Sequence, residues 1–223
     1  AVYYIRRGIY YTLYTTYYNI CLSLYICTSF SIFVYVHVYI HIVPHLCGPC
    51  TTRVVAAATQ ALVPVLRTGS HHLIQSPAIL EWLDETYPDP PLLPADAIER
   101  AHVRAMAAMV GCDVHPINNR RVLMYLRSQF GTDEAGVNAW CGTWISAAFD
   151  AMEQMLAADK HRGDFCFGGA PSMADVYLIP QVESARRFQV DLSAWPHIMS
   201  IDAACQAIPA FAKAAPSAQP EAG

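Results

Sequence analysis

The sequence predicts an α+β to all-α chain in which a β-β-α half-domain precedes an all-helical domain. Three observations predict it. Residues 62–94, LVPVLRTGSHHLIQSPAILEWLDETYPDPPLLP, set two short β-rich runs around a Gly-containing turn and follow them with a helical run that ends in prolines. From Asp96 onward the apolar residues recur at helical spacing with few breaks. Ahead of both stands a tract, 8–52, with no Asp, Glu, Lys or Arg and most of the chain's tyrosines.

Within that tract, SIFVYVHVYIHIV (31–43) alternates β-branched and aromatic residues. Three readings stay open for it. It is a low-complexity leader with no fold of its own, the reading we favour. It is a membrane span, since 20–43 reaches the roughly 20 apolar residues a span needs. Or it is a pair of strands, from its period of two. Scattered tyrosines and histidines weaken the span, so no membrane partner is expected. The chain opens on Ala1 and not Met, compatible with a fragment or a processed product, and no signal peptide is read. The expected domains are a leader over 1–50, an incomplete first domain over 51–88 and a helical domain over 95–215.

Each later element has its local reason. Residues 62–66 form a short β run, 68–71 turn around Gly69, and 73–74 return as a second strand. Ser76 is read as a helix N-cap and Pro77 as the first helical residue, where the missing N–H is no loss. The helix runs to about Thr86 and YPDPPLLP ends it. Residues 99–125 read as one long helix interrupted at Pro116. Residues 133–158 put Val137, Trp140, Trp144, Ala148, Met152 and Met155 on one face, a core stripe. Ser172 and Asp175 make a capping box ahead of another helix, a folding role whose loss costs about 0.5–2 kcal/mol. Pro216 and Pro220 close a loose tail.

Charge and cysteine usage exclude several function classes. A net charge of −4, with 14% charged residues, gives no basic field for nucleic acid. The eight cysteines are too dispersed for a secreted disulfide framework, and no pair of CxxC units suggests zinc. Cys112, Cys141, Cys166 and Cys205 sit among apolar residues and are read as buried free thiols of a reducing, cytoplasmic compartment.

The β-β-α unit with its Val63-Pro64 strand start, the Gln75-Ser76 pair opening its helix and the helical second domain resemble the glutathione S-transferases. GCDVHPINNRRVLMYL (111–126) and MADVYLIPQVESARRFQVDLSAWP (173–196) are similar to the zeta class, the family that includes maleylacetoacetate isomerase. The resemblance covers about 62–208. It implies a partial thioredoxin-like N-terminal domain, of which the β-β-α half is present, followed by an all-helical glutathione-transferase C-terminal domain. It also implies a glutathione-dependent cis–trans isomerisation of maleylacetoacetate in tyrosine and phenylalanine breakdown, with glutathione as cosubstrate, an acidic small-molecule substrate, no metal and a homodimer. The alternative is a catalytically impaired relative that only binds or dimerises.

Residue by residue, the resemblance makes Val63-Pro64 the family's cis-proline site, where the strand edge pairs with glutathione; the plain alternative is a strand-start proline. Gln75 and Ser76 would meet the γ-glutamyl carboxylate at an electropositive helix start, against capping alone. His115, Asn119, Arg120 and Arg121 would line the glutathione site, although His115 before Pro116 is by its own chemistry as readily structural. Arg187 would hold a substrate carboxylate through its guanidinium fork, against a merely solvated charge shared with Arg186.

Cys47-Gly48-Pro49-Cys50 imitates a thioredoxin redox centre, yet Pro64 follows Cys50 by only 64 − 50 = 14 positions, too few for the intervening helix, strand and helix. A second match sets Cys50 and Arg53-Val54 on the zeta motif Ser-Ser-Cys-x-x-Arg-Val, with Gly48 and Pro49 in place of the serines. On that match Cys50 is the candidate catalytic residue, a thiol at a helix start whose pKa such a position lowers.

Overall fold

The computed structural model describes strand backbone at 3–5, 9–11, 21–28 and 32–39, and then residues 65–68 and 70–215. Cys47, Cys50, Val63 and Pro64 lie outside the described residues. The chain divides into two compact units, 1–91 with 210–223, and 92–209.

In the first unit, β1 (Tyr3–Ile5) pairs antiparallel with β2 (Ile9–Tyr11), and β3 (Cys21–Thr28) with β4 (Ile32–Tyr39). Within the alternating tract the strand backbone covers 32–39, where β-branched and aromatic residues suit a pleated backbone. Among the described residues no helix is long and apolar enough to cross a membrane. β5 (Val65–Thr68) pairs antiparallel with β6 (His71–Ile74), Val65 opposite Ile74 and Thr68 opposite His71. Helix α1 (Ser76–Thr86) follows at once and packs on β6, burying Ile79, Leu80 and Leu83.

The second unit is helical. It holds α2 (Ala97–Ala108), a π-helical turn (Met109–Val114), α3 (Arg120–Phe130), α4 (Glu134–Ala158), α5 (Met173–Arg187) and α6 (Pro196–Gln206). A short α7 (Pro209–Ala214) comes last in the chain and falls, after Pro209, in the first unit. The expected long helix over 99–125 breaks well before Pro116. Pro116 lacks an N–H and its ring crowds the carbonyl four residues back. The chain answers with a wider turn, in which the His115 N–H reaches the Val110 carbonyl at 2.9 Å, five residues back. Gly111 permits this turn to lie against α5, because a Cβ there would stand 2.7 Å from the Tyr177 ring.

The core stripe of α4 is Val137, Cys141, Ile145, Phe149, Met152 and Leu156: Val137 and Met152 are as expected, and the other four each lie one position later than Trp140, Trp144, Ala148 and Met155. The tryptophans mislead because of their size. Trp140 is half-buried and Trp144 is 40% exposed, while smaller Cys141 and Ile145 fill the interior. Cys112 is exposed, contrary to expectation, while Cys141, Cys166 and Cys205 are buried free thiols.

Carboxylates secure the later helices. Asp175, fully buried, accepts the Ser172 N–H and hydroxyl, both at 2.7 Å, and the Cys166 N–H at 2.8 Å. The capping box therefore also anchors the loop before α5. Glu153 of α4 accepts the N–H groups of His197 and Ile198 at 2.8 and 3.0 Å, capping α6 from a neighbouring helix. Asp150 accepts the Trp195 indole N–H at 2.8 Å, and that indole meets Phe149 edge-on.

Replacing Asp175 by Ala leaves two buried backbone donors without an acceptor. The expected loss is about 3 kcal/mol, from the cap and the stranded N–H groups together. Denaturant unfolding of the full chain measures it, and a loss under about 1 kcal/mol contradicts this account.

Candidate functional site

The β6–α1 junction carries an unusual backbone. Gln75 has φ 71° and ψ 124°, a positive φ that costs a residue with a side chain about 1–3 kcal/mol. This sharp turn lets α1 begin immediately after β6, with the Gln75 carbonyl accepting the Ile79 N–H at 3.0 Å. The N-cap position therefore belongs to Gln75. Ser76, expected to cap, is the first helical residue, and Pro77 the second. Gln75 makes no side-chain cap hydrogen bond, and no acid stands in the first turn of this helix. The first N–H groups of α1 form an electropositive end, and the half-buried Ser76 sits in it.

In the helical unit, the corner between the π turn and α3 brings His115, Asn119, Arg120 and Arg121 into one short stretch. His115 ends the π turn and is half-buried; burial pushes its imidazole pKa down, so the ring is neutral at pH 7. Asn119 caps α3 through Oδ1, which accepts the Arg121 N–H at 3.1 Å. Its Nδ2 has no acceptor among the described residues. Arg120 is half-buried and Arg121 exposed, and neither has a carboxylate partner among the described residues. Two cations at the positive end of a helix oppose the helix dipole, and an anion there would reverse that cost.

Arg187 is the last residue of α5, where a cation suits the dipole. It is exposed, with its guanidinium carbon 5.3 Å from the Phe188 ring centroid. Arg186 is committed elsewhere, to Glu183 and to buried Asp202, so the adjacent arginines have different roles. Arg187 and Arg127 both act on the Cys141 thiol of α4, which burial nonetheless lifts to about 11. Asn118 donates from Nδ2 to the Cys141 carbonyl at 3.4 Å. The corner is thus tied to the turn of α4 that carries Cys141.

The structure brings together four sequence-predicted residues at the corner and two at the start of α1. Cys50 and Val63 lie outside the described residues. Two features escaped sequence reasoning: the π turn, and the ties from Asn118 and Trp140 across to and from α4. The available signal was a Trp at the edge of an apolar stripe, since a partly buried indole N–H needs an acceptor. No group of three His, Cys, Asp or Glu among the described residues is placed to hold a metal ion.

Comparison with known proteins adds a family. Residues 144–216 match the description "Glutathione S-transferase, C-terminal domain". The chain is 65% identical over 162 residues to the maleylpyruvate isomerase of Ralstonia sp, covering 73% of this chain and 76% of that protein. It is similar to the holo structure of maleyl pyruvate isomerase, a bacterial zeta-class glutathione S-transferase, with TM-score 0.75, 62% identity and coverage of 77% and 81%. A maleylacetoacetate isomerase from Anaeromyxobacter dehalogenans, solved with bound dicarboxyethyl glutathione and citrate, gives TM-score 0.69 at 38% identity, covering 79% and 80%.

The depressed pKa of His115 has a signed consequence. Unfolded, the ring takes its proton near pH 6.5; folded, it does so only at lower pH. His115 therefore adds stability above pH 6.5 that is lost as pH falls through the folded value. Proton NMR titration should find the imidazole below 6.5, and His115→Gln should flatten stability between that value and 6.5. A titration at or above 6.5 contradicts the burial argument.

Proposed function

Since the chain belongs to the zeta class of the glutathione S-transferase family, we propose that it is a glutathione-dependent cis–trans isomerase acting on a maleyl-type dicarboxylic acid. The observation that carries this reading is 65% identity to a maleylpyruvate isomerase over 162 residues. The substrate class is that of maleylpyruvate and maleylacetoacetate, small acids with a cis double bond next to a carbonyl.

Each unit by itself offers groups whose chemistry suits glutathione. The α1 start offers uncapped N–H groups and Ser76 to its γ-glutamyl carboxylate, and the backbone strain at Gln75 supports that role. Neutral His115 can donate one hydrogen bond and accept another without adding charge. Asn119 has amide donors to spare, and Arg120 and Arg121 bring two positive charges that lack carboxylate partners among the described residues. Glutathione, when bound, supplies a thiol that adds reversibly to an electron-poor double bond, permits rotation about it, and is returned unchanged.

The chain's own part is to hold anions and orient them. Arg187 can grip one substrate carboxylate with two parallel hydrogen bonds, and its place over Phe188 limits where the fork points. Cys50, on the zeta motif, is the residue we assign to thiol activation, and Val63 the residue whose backbone pairs with the tripeptide. Gly48 and Pro49 in place of the motif's serines favour a second reading, a binding protein that has lost turnover. The buried thiols suit a cytoplasmic enzyme, and a homodimer completes the proposal.

The test is loss of the cis substrate's absorbance by the full chain, with and without glutathione, for both maleylpyruvate and maleylacetoacetate. We expect glutathione-dependent turnover. Ser76→Ala should raise KM for glutathione, and Arg187→Ala KM for the dicarboxylate, each about 10- to 100-fold, as loss of a hydrogen bond to a charged group implies. Glutathione binding without turnover on either acid selects the second reading, and no binding at all removes both.

A further inference from the structure

The corner 115–119 lies between a π turn and a helix start, so it has few backbone bonds of its own. The His115 N–H reaches Val110 and the Asn118 N–H reaches the Val114 carbonyl at 3.1 Å. The Ile117 carbonyl is taken by a side chain, the Trp140 indole N–H at 3.2 Å. Asn118 returns the tie through Nδ2 to the Cys141 carbonyl. Both ties end on consecutive residues of α4, a helix of 25 residues buried along one stripe and therefore a rigid reference.

We infer that Trp140 and Asn118 are positioning residues, which fix Asn119, Arg120 and Arg121 for glutathione by hanging the corner on α4. The inference rests on the reading above that this corner binds glutathione. Neither residue is explained by the core. Trp140 lies off the buried stripe, half-exposed, with its ring edge on the exposed Trp144 at 5.7 Å. Its distinctive contribution is one N–H aimed at one carbonyl.

Asn118 pays for its position, since its Oδ1 is buried with no partner among the described residues. An apolar residue would avoid that cost, so the amide is better explained by the tie it makes. The same turn of α4 feels the charge of Arg187 through Cys141.

The test uses the full chain carrying Trp140→Phe, which removes the indole N–H and keeps an aromatic ring, and separately Asn118→Ala. Calorimetry gives the Kd and stoichiometry for glutathione. Each variant should weaken glutathione about three- to tenfold, the effect of one hydrogen bond, at unchanged stoichiometry. In turnover, KM for glutathione should rise by the same factor while kcat and KM for maleylpyruvate stay within about twofold. A merely structural role would instead lower stoichiometry and apparent kcat at constant Kd, and that result overturns the inference. Asn119→Ala and Arg120→Ala separate it from the reading beneath it. If these weaken glutathione and the two positioning variants do not, the positioning inference alone falls. If none of the four does, the glutathione corner falls and the inference with it.

Discussion

Proline at position 116 cannot donate a backbone hydrogen bond, and its ring displaces the carbonyl of Cys112. The constraint ends α2 at Ala108, opens a π turn over the next six residues and turns the chain through a corner before α3 can begin. Gly111 answers it by letting the Tyr177 ring close on the widened turn, and Asn119 by restarting the helix with a side-chain cap. In an uninterrupted helix His115 and Asn119, four apart, would share a face that Arg120 and Arg121 would not. The break instead sets them at a corner, His115 closing the π turn and Asn119 capping α3 with Arg120 and Arg121 in its first turn. The site in the helical unit is thus a consequence of where helical hydrogen bonding fails.

Electrostatics separates the helix starts into two groups. Asp96 caps α2, Asp133 caps α4, Asp175 stands in the first turn of α5, and Glu153 reaches across to α6. Each places a carboxylate where the helix dipole is positive. The starts of α1 and α3 have none: α1 has no side-chain cap, and α3 has a neutral amide followed by two arginines. These are the two starts that carry Ser76 and the His115–Arg121 corner. Among the described helices of eight residues or more, four starts are met by the chain's own acids and two are left positive, an arrangement that suits anionic ligands.

Much of this was legible in the sequence where the signal is local. The bounds of α1 follow from Ser-Pro at one end and the proline run at the other, and the Ser172–Asp175 box marked the start of α5. Tertiary context was less legible. Ser76 reads as a cap by residue type, yet the strained Gln75 takes that position because β6 must turn into α1 within one residue. Trp140 reads as core by size, yet its N–H draws it to the rim, where Cys141 displaces it from the stripe. Asn118 gave no signal at all, since a buried amide is defined by partners 23 positions away. The zeta-like segments named the corner residues without revealing what holds them.

The cysteines settle how labour is divided at the site. A thiol attacks as its thiolate, and burial in apolar surroundings suppresses that form. Cys141 is lifted to about 11 despite two nearby arginines. Cys166 is pushed up further, by burial first and then by the carboxylate of Asp175, and Cys205 is raised by burial as well. Burial thus disfavours the thiolate in all three. They behave as small apolar residues that pack against α4, α5 and α6. Within the helical unit, burial therefore sets these three thiols apart from sulfur chemistry and leaves them a packing role. What the unit contributes is a set of fixed positive charges, held at a proline-made corner and at the end of α5.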